Sequence, residues 1–202
     1  MATTTTNYGF DIPQSTDLVK DGATAIATLG QDIDTAMNTA LGTKKAGMVL
    51  LNTTSFSGVA SQSFNNVFSA TYQNYKMVLN ISASSGSDLT VKLRASGTDA
   101  STNYNRYGIA INSAGATTNY GSATAGGFFY LAQQSSIDTG CEFNLYSPFE
   151  STPTKFHAIS SGGTSPVFIG GRHTTSSSYD GFSLLPDSGT ITGIMRIYGF
   201  NN

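Results

Sequence analysis

From Gly47 onward the chain never shows the three-and-four spacing of an amphipathic helix, and this excludes every fold that alternates strands with helices. Eleven short runs follow one another about every dozen residues: GMVLLNTT, FNNVFSA, NYKMVLNIS, LTVKLRASG, YGIAINS, GGFFYLAQ, CEFNLYS, TKFHAISS, VFIGGRHTT, DGFSLLP and TITGIMRIYGF. They are separated by turn chemistry at Ser84-Ser85-Gly86, Ser96-Gly97-Thr98, Ala114-Gly115, Ser161-Gly162-Gly163 and Asp187-Ser188-Gly189. These residues tolerate positive φ or bond their own backbone. The expected fold is mainly β: a C-terminal antiparallel β-sandwich, jelly-roll-like, preceded by an N-terminal arm and an oligomerising α-helix.

Several runs alternate strictly. Val91 and Leu93 oppose Lys92 and Arg94, Phe143 and Leu145 oppose Asn144, and Ile194, Arg196 and Tyr198 oppose Met195 and Ile197. Such strands bury one face and wet the other.

The segment from Ser15 to Gly42 differs. Ser15 or Thr16 can cap a helix, Asp17 stands in its first turn, and Gly42 suits a C-terminal cap. Val19, Gly22, Ile26, Leu29, Ile33, Ala36 and Ala40 form an a/d seam, flanked by Thr24, Thr28, Gln31, Asp32, Asp34, Thr35 and Asn38. A seam this narrow suits a partner helix better than a sheet, and Gly22 and Gly30 each cost about 1 kcal/mol relative to Ala, so the isolated helix is marginal. A helix packed on its own domain, or two short helices broken at Asp21-Gly22, are the other arrangements the pattern allows. Before it, Tyr8, Phe10, Ile12 and Pro13 alternate at period two, as in an extended arm that docks on another surface.

Charged residues make up 11% of the chain, against roughly 25% in soluble domains, and Ser, Thr, Asn and Gly take their place. With 10 basic and 12 acidic residues and no run of either sign, no stripe is available to follow a phosphate backbone. Nucleic acid is therefore not an expected partner. No apolar stretch approaches the roughly 18 residues of a membrane helix, and the opening MATTTTNYGFDIP has neither the basic nor the apolar region of a signal peptide. One cysteine, Cys141, allows no intramolecular disulfide. Oligomerisation is a natural substitute for that staple.

No nucleophile elbow, P-loop, dinucleotide fingerprint, H-E-x-x-H or C-x-x-C occurs. His157 and His173 lie in neighbouring expected strands and could in principle share a metal, but no Cys or carboxylate set accompanies them. Asp138, Glu142, Glu150, Asp180 and Asp187 could supply a glycosidase-like pair only by chance of folding. Cys141 has no flanking base and suits a core position. No enzyme, metal or cofactor is expected. Tyr104, Asn105, Arg106, Tyr107, Tyr120, Arg172, His173 and Tyr179 stand in polar, Gly/Asn/Ser-rich segments. Aromatic rings beside amides and small hydroxyls make adaptable binding surfaces, and sugars suit them.

The order FDIPQSTDLVKDGATAIATLGQDIDTAM, then KKAGMVLLNTTSFSGVASQSFNNVFSATYQNYKMVLNIS, then SLLPDSGTITGIMRIYGFNN resembles the fibre-like and minor tail proteins of bacteriophages, such as those of cyanobacteria and other aquatic bacteria. Its specific elements are the N-terminal IPQSTDLVKDGATAI and the final SGTITGIMRIYGF. The resemblance implies a virion structural protein, a homotrimer assembled in the host cytoplasm, attached to another virion protein through its arm and meeting a host surface glycan or protein with its sandwich. It does not say whether head or tail carries it. The expected organisation is an arm at 1–14, a stalk helix at 15–42, a hinge at 43–47 and a sandwich head at 48–202. A capsid decoration and a small polysaccharide depolymerase are the alternative functions.

Overall fold

In the computed structural model the N-terminal seam is carried by one unbroken helix, α1 (Val19–Gly42), with Asp21 in its first turn. The structure describes residues 3–6, 8–12, 18–42, 47–85, 87–128, 133–134, 139–161 and 166–200. Pro13, the expected caps Ser15 and Thr16, Asp17, most of the hinge and Asp138 lie outside them. The chain divides between Met1–Gly47 and Met48–Asn202.

In the first unit two short strands, β1 (Thr3–Thr4) and β2 (Asp11–Ile12), pair antiparallel, with Thr3 opposite Ile12. The turn between them closes through Gly9 at φ 68°, a left-handed conformation that glycine adopts without strain. Tyr8 and Phe10 stack with ring centroids 5.6 Å apart. They line an apolar depression of about 230 Å³ together with Ile33, Ala36, Met37 and Ala40 of α1. The arm is thus not extended, and it lies on its own helix over the C-terminal half of the seam. Farther along the seam Ile26 stays 67% exposed and Gly22 meets nothing within 4 Å. The side chain of Val19 is outside the described residues; Leu29 is half-buried.

The second unit contains β3 (Met48–Val59), β4 (Gln62–Phe64), β5 (Asn74–Ala83), β6 (Ser87–Ala95), β7 (Thr98–Asp99), β8 (Tyr104–Ile111) and β9 (Thr117–Ala125). After these come β10 (Gln133–Gln134), β11 (Thr139–Tyr146), β12 (Pro153–Ser161), β13 (Val167–Ser176), β14 (Gly181–Pro186) and β15 (Ile191–Phe200). Eight form one antiparallel sheet in the order β3-β15-β5-β11-β12-β13-β8-β9, and five form a second, β10-β6-β14-β4 with β7 beside β6. The chain is mainly β, an antiparallel sandwich preceded by one helix.

Alternation sorts the strands as the sequence implies. Tyr75, Met77, Leu79 and Ile81 of β5 and Cys141, Phe143 and Leu145 of β11 point inward, where they meet Leu89, Val91 and Leu93 of β6 and Phe182 and Leu184 of β14. Phe143 and Phe182 contact edge to face at 5.6 Å across the two sheets. Each such side chain contributes about 1.5–3 kcal/mol when fully buried. The β6–β7 hairpin turns through Ser96 and Gly97 at φ 49° and 80°, as a two-residue turn matched to strand twist requires.

One expected strand is corrected. FNNVFSA is a loop beyond Phe64: Asn66 turns left-handed at φ 56°, Phe68 plugs the core against Tyr75 at 4.6 Å, and the Tyr75 hydroxyl donates to the Ser69 carbonyl. In GGFFYLAQ, Phe128 makes an isolated bridge with Val91; residues 129–132 are outside the described set. Conversely TTNYGSATA, whose Tyr120 region reads as a polar loop, is the edge strand β9.

β15 is hydrogen-bonded on both sides, to β3 and β5, and buries Ile191, Met195 and Ile197 completely. Deleting residues 190–202 is expected to leave no soluble, protease-resistant product, and Met195→Ala is expected to cost about 2–5 kcal/mol in denaturant unfolding; a folded truncation would contradict this.

Candidate functional site

The covered face of the eight-stranded sheet is the core; its other face is where chemistry can meet solvent. Cross-strand neighbours on one face stand about 4.5–5.5 Å apart at Cβ, so the register defines rows. One row runs Tyr146, Lys155, Arg172, Asn105 across β11, β12, β13 and β8. The next runs Asn144, His157, Gly170, Tyr107, Gly121, reaching β9. A third is apolar across three strands: Ile159, Phe168 and Ile109, each about 40% exposed.

Tyr107 is 59% exposed. A Cβ on Gly121 would stand 3.4 Å from Cδ1 of Tyr107, so the ring extends over the space that the missing side chain leaves. Gly170 leaves a second gap between His157 and Tyr107. The imidazole of His157 is held at both nitrogens, by Asn144 Nδ2 at 3.0 Å and by the Tyr146 hydroxyl at 3.0 Å. Asn105, Tyr107, Lys155, Gly171 and Arg172 line a shallow depression of about 450 Å³. Register shifts occur beside it, between Pro153 and Lys155 and between Tyr104 and Arg106. Bulges of this kind re-aim side chains next to binding sites.

Charge on this face is uneven. Glu142 is engaged by Lys76 at 2.7 Å. Lys155 and Arg172, directly opposite one another and both exposed, have no ion-pair partner among the described residues.

Of the residues singled out in the sequence, Asn105, Tyr107 and Arg172 meet here. Arg106 and Tyr120 belong to the opposite face of the sheet, where Arg106 lines a separate depression of about 360 Å³ with Thr90, Lys92 and Asp187. Tyr104, His173 and Tyr179 are corrected: all three are interior, Tyr104 and His173 on strands and Tyr179 in the connection between β13 and β14. Tyr104 accepts from Leu93 N at 2.9 Å and donates to the Ala100 carbonyl at 3.1 Å, and its ring lies 4.5 Å from His173. His173 Nε2 contacts the Thr102 carbonyl at 3.0 Å. A carbonyl only accepts, so Nε2 carries the proton and Nδ1 accepts from the Tyr179 hydroxyl at 3.2 Å. Burial pushes the Tyr104 and Tyr179 phenols up and holds His173 below the ordinary imidazole value.

His157 points outward and His173 inward, so they cannot share a metal, and no group of three His, Cys, Asp or Glu side chains converges among the described residues. Cys141 is buried, and burial pushes its thiol up. Lys155, His157, Asn144 and Tyr146 escape a reading that follows aromatic, polar loops. The signal for Lys155 and His157 is the period-two alternation of TKFHAISS, opposite Phe156 and Ala158, and for Asn144 and Tyr146 that of CEFNLYS, opposite Phe143 and Leu145.

No family model matches the chain, and no curated protein matches it. Among solved structures, Caenorhabditis elegans galectin LEC-6 is similar at 10% identity and a TM-score of 0.33, covering 77% of this chain and 98% of the galectin. Sucrose-6-phosphate hydrolase from Lactobacillus gasseri is similar at 11% identity and a TM-score of 0.33, covering 70% of this chain and 28% of the hydrolase. Likenesses this distant carry no argument about function.

The buried His173 makes stability depend on pH. Its folded-state value lies below the ordinary 6.5, so the unfolded chain takes up the proton first, and stability is lost as pH falls below about 6.5 toward the folded value. The thermal midpoint is expected to fall between pH 7 and pH 5, and less steeply in His173→Gln; equal slopes would contradict the assignment.

Proposed function

We propose that this protein is a bacteriophage fibre-type virion protein, a homotrimer whose β-sandwich binds a host surface through the outer face of the eight-stranded sheet. The observation that carries the binding reading is Tyr107: a largely exposed ring extending over Gly121, beside the Gly170 gap, with Asn105 and Arg172 next to it. A planar aromatic with amide and cationic donors at its rim fits a ligand that has an apolar face and a polar edge. The reading is of adhesion rather than catalysis, because Glu142, the carboxylate that β11 brings to this face, is tied to Lys76.

Placement on a virion is supported by the resemblance of both chain ends to phage tail proteins. Self-association is supported by α1, whose Ile26 and Met37 are each more than half exposed, as is Leu18 just before it. Apolar side chains on so thin a helix gain most from copies of the same helix. The docked arm, with Tyr8 and Phe10 on Ile33 and Ala36, leaves the N-terminal half of the seam for those copies.

Light scattering on the full chain is expected to give a trimer, and Ile26→Asp to reduce it; a full-length monomer would sink the oligomeric reading. Tyr107→Ala is expected to abolish adhesion of the labelled protein to host cells while changing stability by no more than about 0.5 kcal/mol. Undiminished adhesion would place the contact elsewhere.

A further inference from the structure

The proposed binding face also narrows the class of ligand, and this step rests on that reading. We propose that it takes an acidic saccharide, with a sugar ring against Tyr107 and its anionic group held by Lys155 and Arg172.

The argument begins with an unfavourable arrangement. Like charges directly opposite on neighbouring strands destabilise a sheet. Lys155 and Arg172 occupy such a pair, and their outer neighbours in the row, Tyr146 and Asn105, are neutral hydrogen-bonding groups. The chain has 12 acidic residues for 10 basic ones, so counter-charge is not scarce. Yet Glu142, on the adjacent strand, turns to Lys76 instead.

The geometry suits an anion on a ring. Arg172 stands one row from the position left empty by Gly170, with Tyr107 across from that gap, and the depression of about 450 Å³ runs over Asn105, Tyr107, Lys155 and Arg172. A guanidinium fork and an ammonium converging on one carboxylate or sulfate give charge-assisted hydrogen bonds, stronger than neutral ones, while the ring stacks on the phenol. The apolar row of Ile159, Phe168 and Ile109 borders the other side and suits the less polar edge of a sugar. A neutral sugar would leave the two cations uncompensated.

Calorimetric titration of the full chain at low salt tests this with matched oligosaccharides: trigalacturonate against galactotriose, and sulfated against desulfated chondroitin tetrasaccharide. At least one acidic member is expected to bind tenfold or more tighter than its neutral counterpart and to weaken as salt rises. Lys155→Ala and Arg172→Gln should each weaken it about tenfold while raising the thermal midpoint, since either relieves the like-charge contact. Equal binding within every pair, lost in Tyr107→Ala, overturns the acidic class and leaves the binding face standing. Binding by no acidic member overturns the acidic class, and if adhesion to host cells also survives Tyr107→Ala, the face falls with it. A lowered midpoint in both variants overturns the repulsion on which the proposal is built.

Discussion

The unequal size of the two sheets governs the sandwich unit. Eight strands present an inner face that five strands cover, and the only way to bury apolar area on such a surface is to send alternate residues inward. The core positions of β5, β11 and β15 follow from that constraint, and so does the polarity of their intervening positions, Lys76, Asn144 and Arg196. Because the side-chain period is two, a one-residue slip in any of these pairings would exchange core and solvent faces, so the hydrophobic pattern fixes the register tightly. The rows of the outer face are consequences of the same register. Lys155 and Arg172 confront one another because Phe156 and His173, their chain neighbours, must face inward.

Much of this was legible in the sequence. The alternation in VKLR, EFNLY and IMRIY gave the right faces because those strands are covered on one side only. The division near Gly47 follows the change of period from helical to extended. What escaped was decided by distant contacts. The strand β9 lies at the edge of the sheet and has little apolar area to bury, so its Thr, Ser and Gly residues carry no periodic signal. Phe68 is as apolar as a strand residue, but its place was fixed by Asp180, whose carbonyl accepts from both Val67 N and Phe68 N.

The candidate site shows the same limit. Tyr104 and Tyr107 stand three apart in one polar stretch and look equivalent locally, yet in a strand that spacing puts them on opposite faces. Tyr104 enters the core beside His173, and Tyr107 emerges onto the outer face. Polar neighbours therefore predict exposure poorly where the backbone is extended. The cations of the site are still harder to see, since Lys155 and Arg172 lie 17 residues apart in sequence and only strand pairing joins them. At the N-terminus the seam was legible but its partial cover was not, because a short hairpin of ten residues closes by Thr5 backbone hydrogen bonds to Gly9 and Phe10 that no hydrophobic pattern announces.

These elements converge on the proposal that the exposed face of the larger sheet, centred on Tyr107, is the surface with which the protein meets its ligand. Hydrogen–deuterium exchange of the full chain, with and without polysaccharide extracted from the host envelope, tests it most directly. The account predicts added protection in β8, β12 and β13 around Tyr107, His157 and Gly170, and little change in β6 or β14. Protection confined to the smaller sheet or to α1 would contradict it.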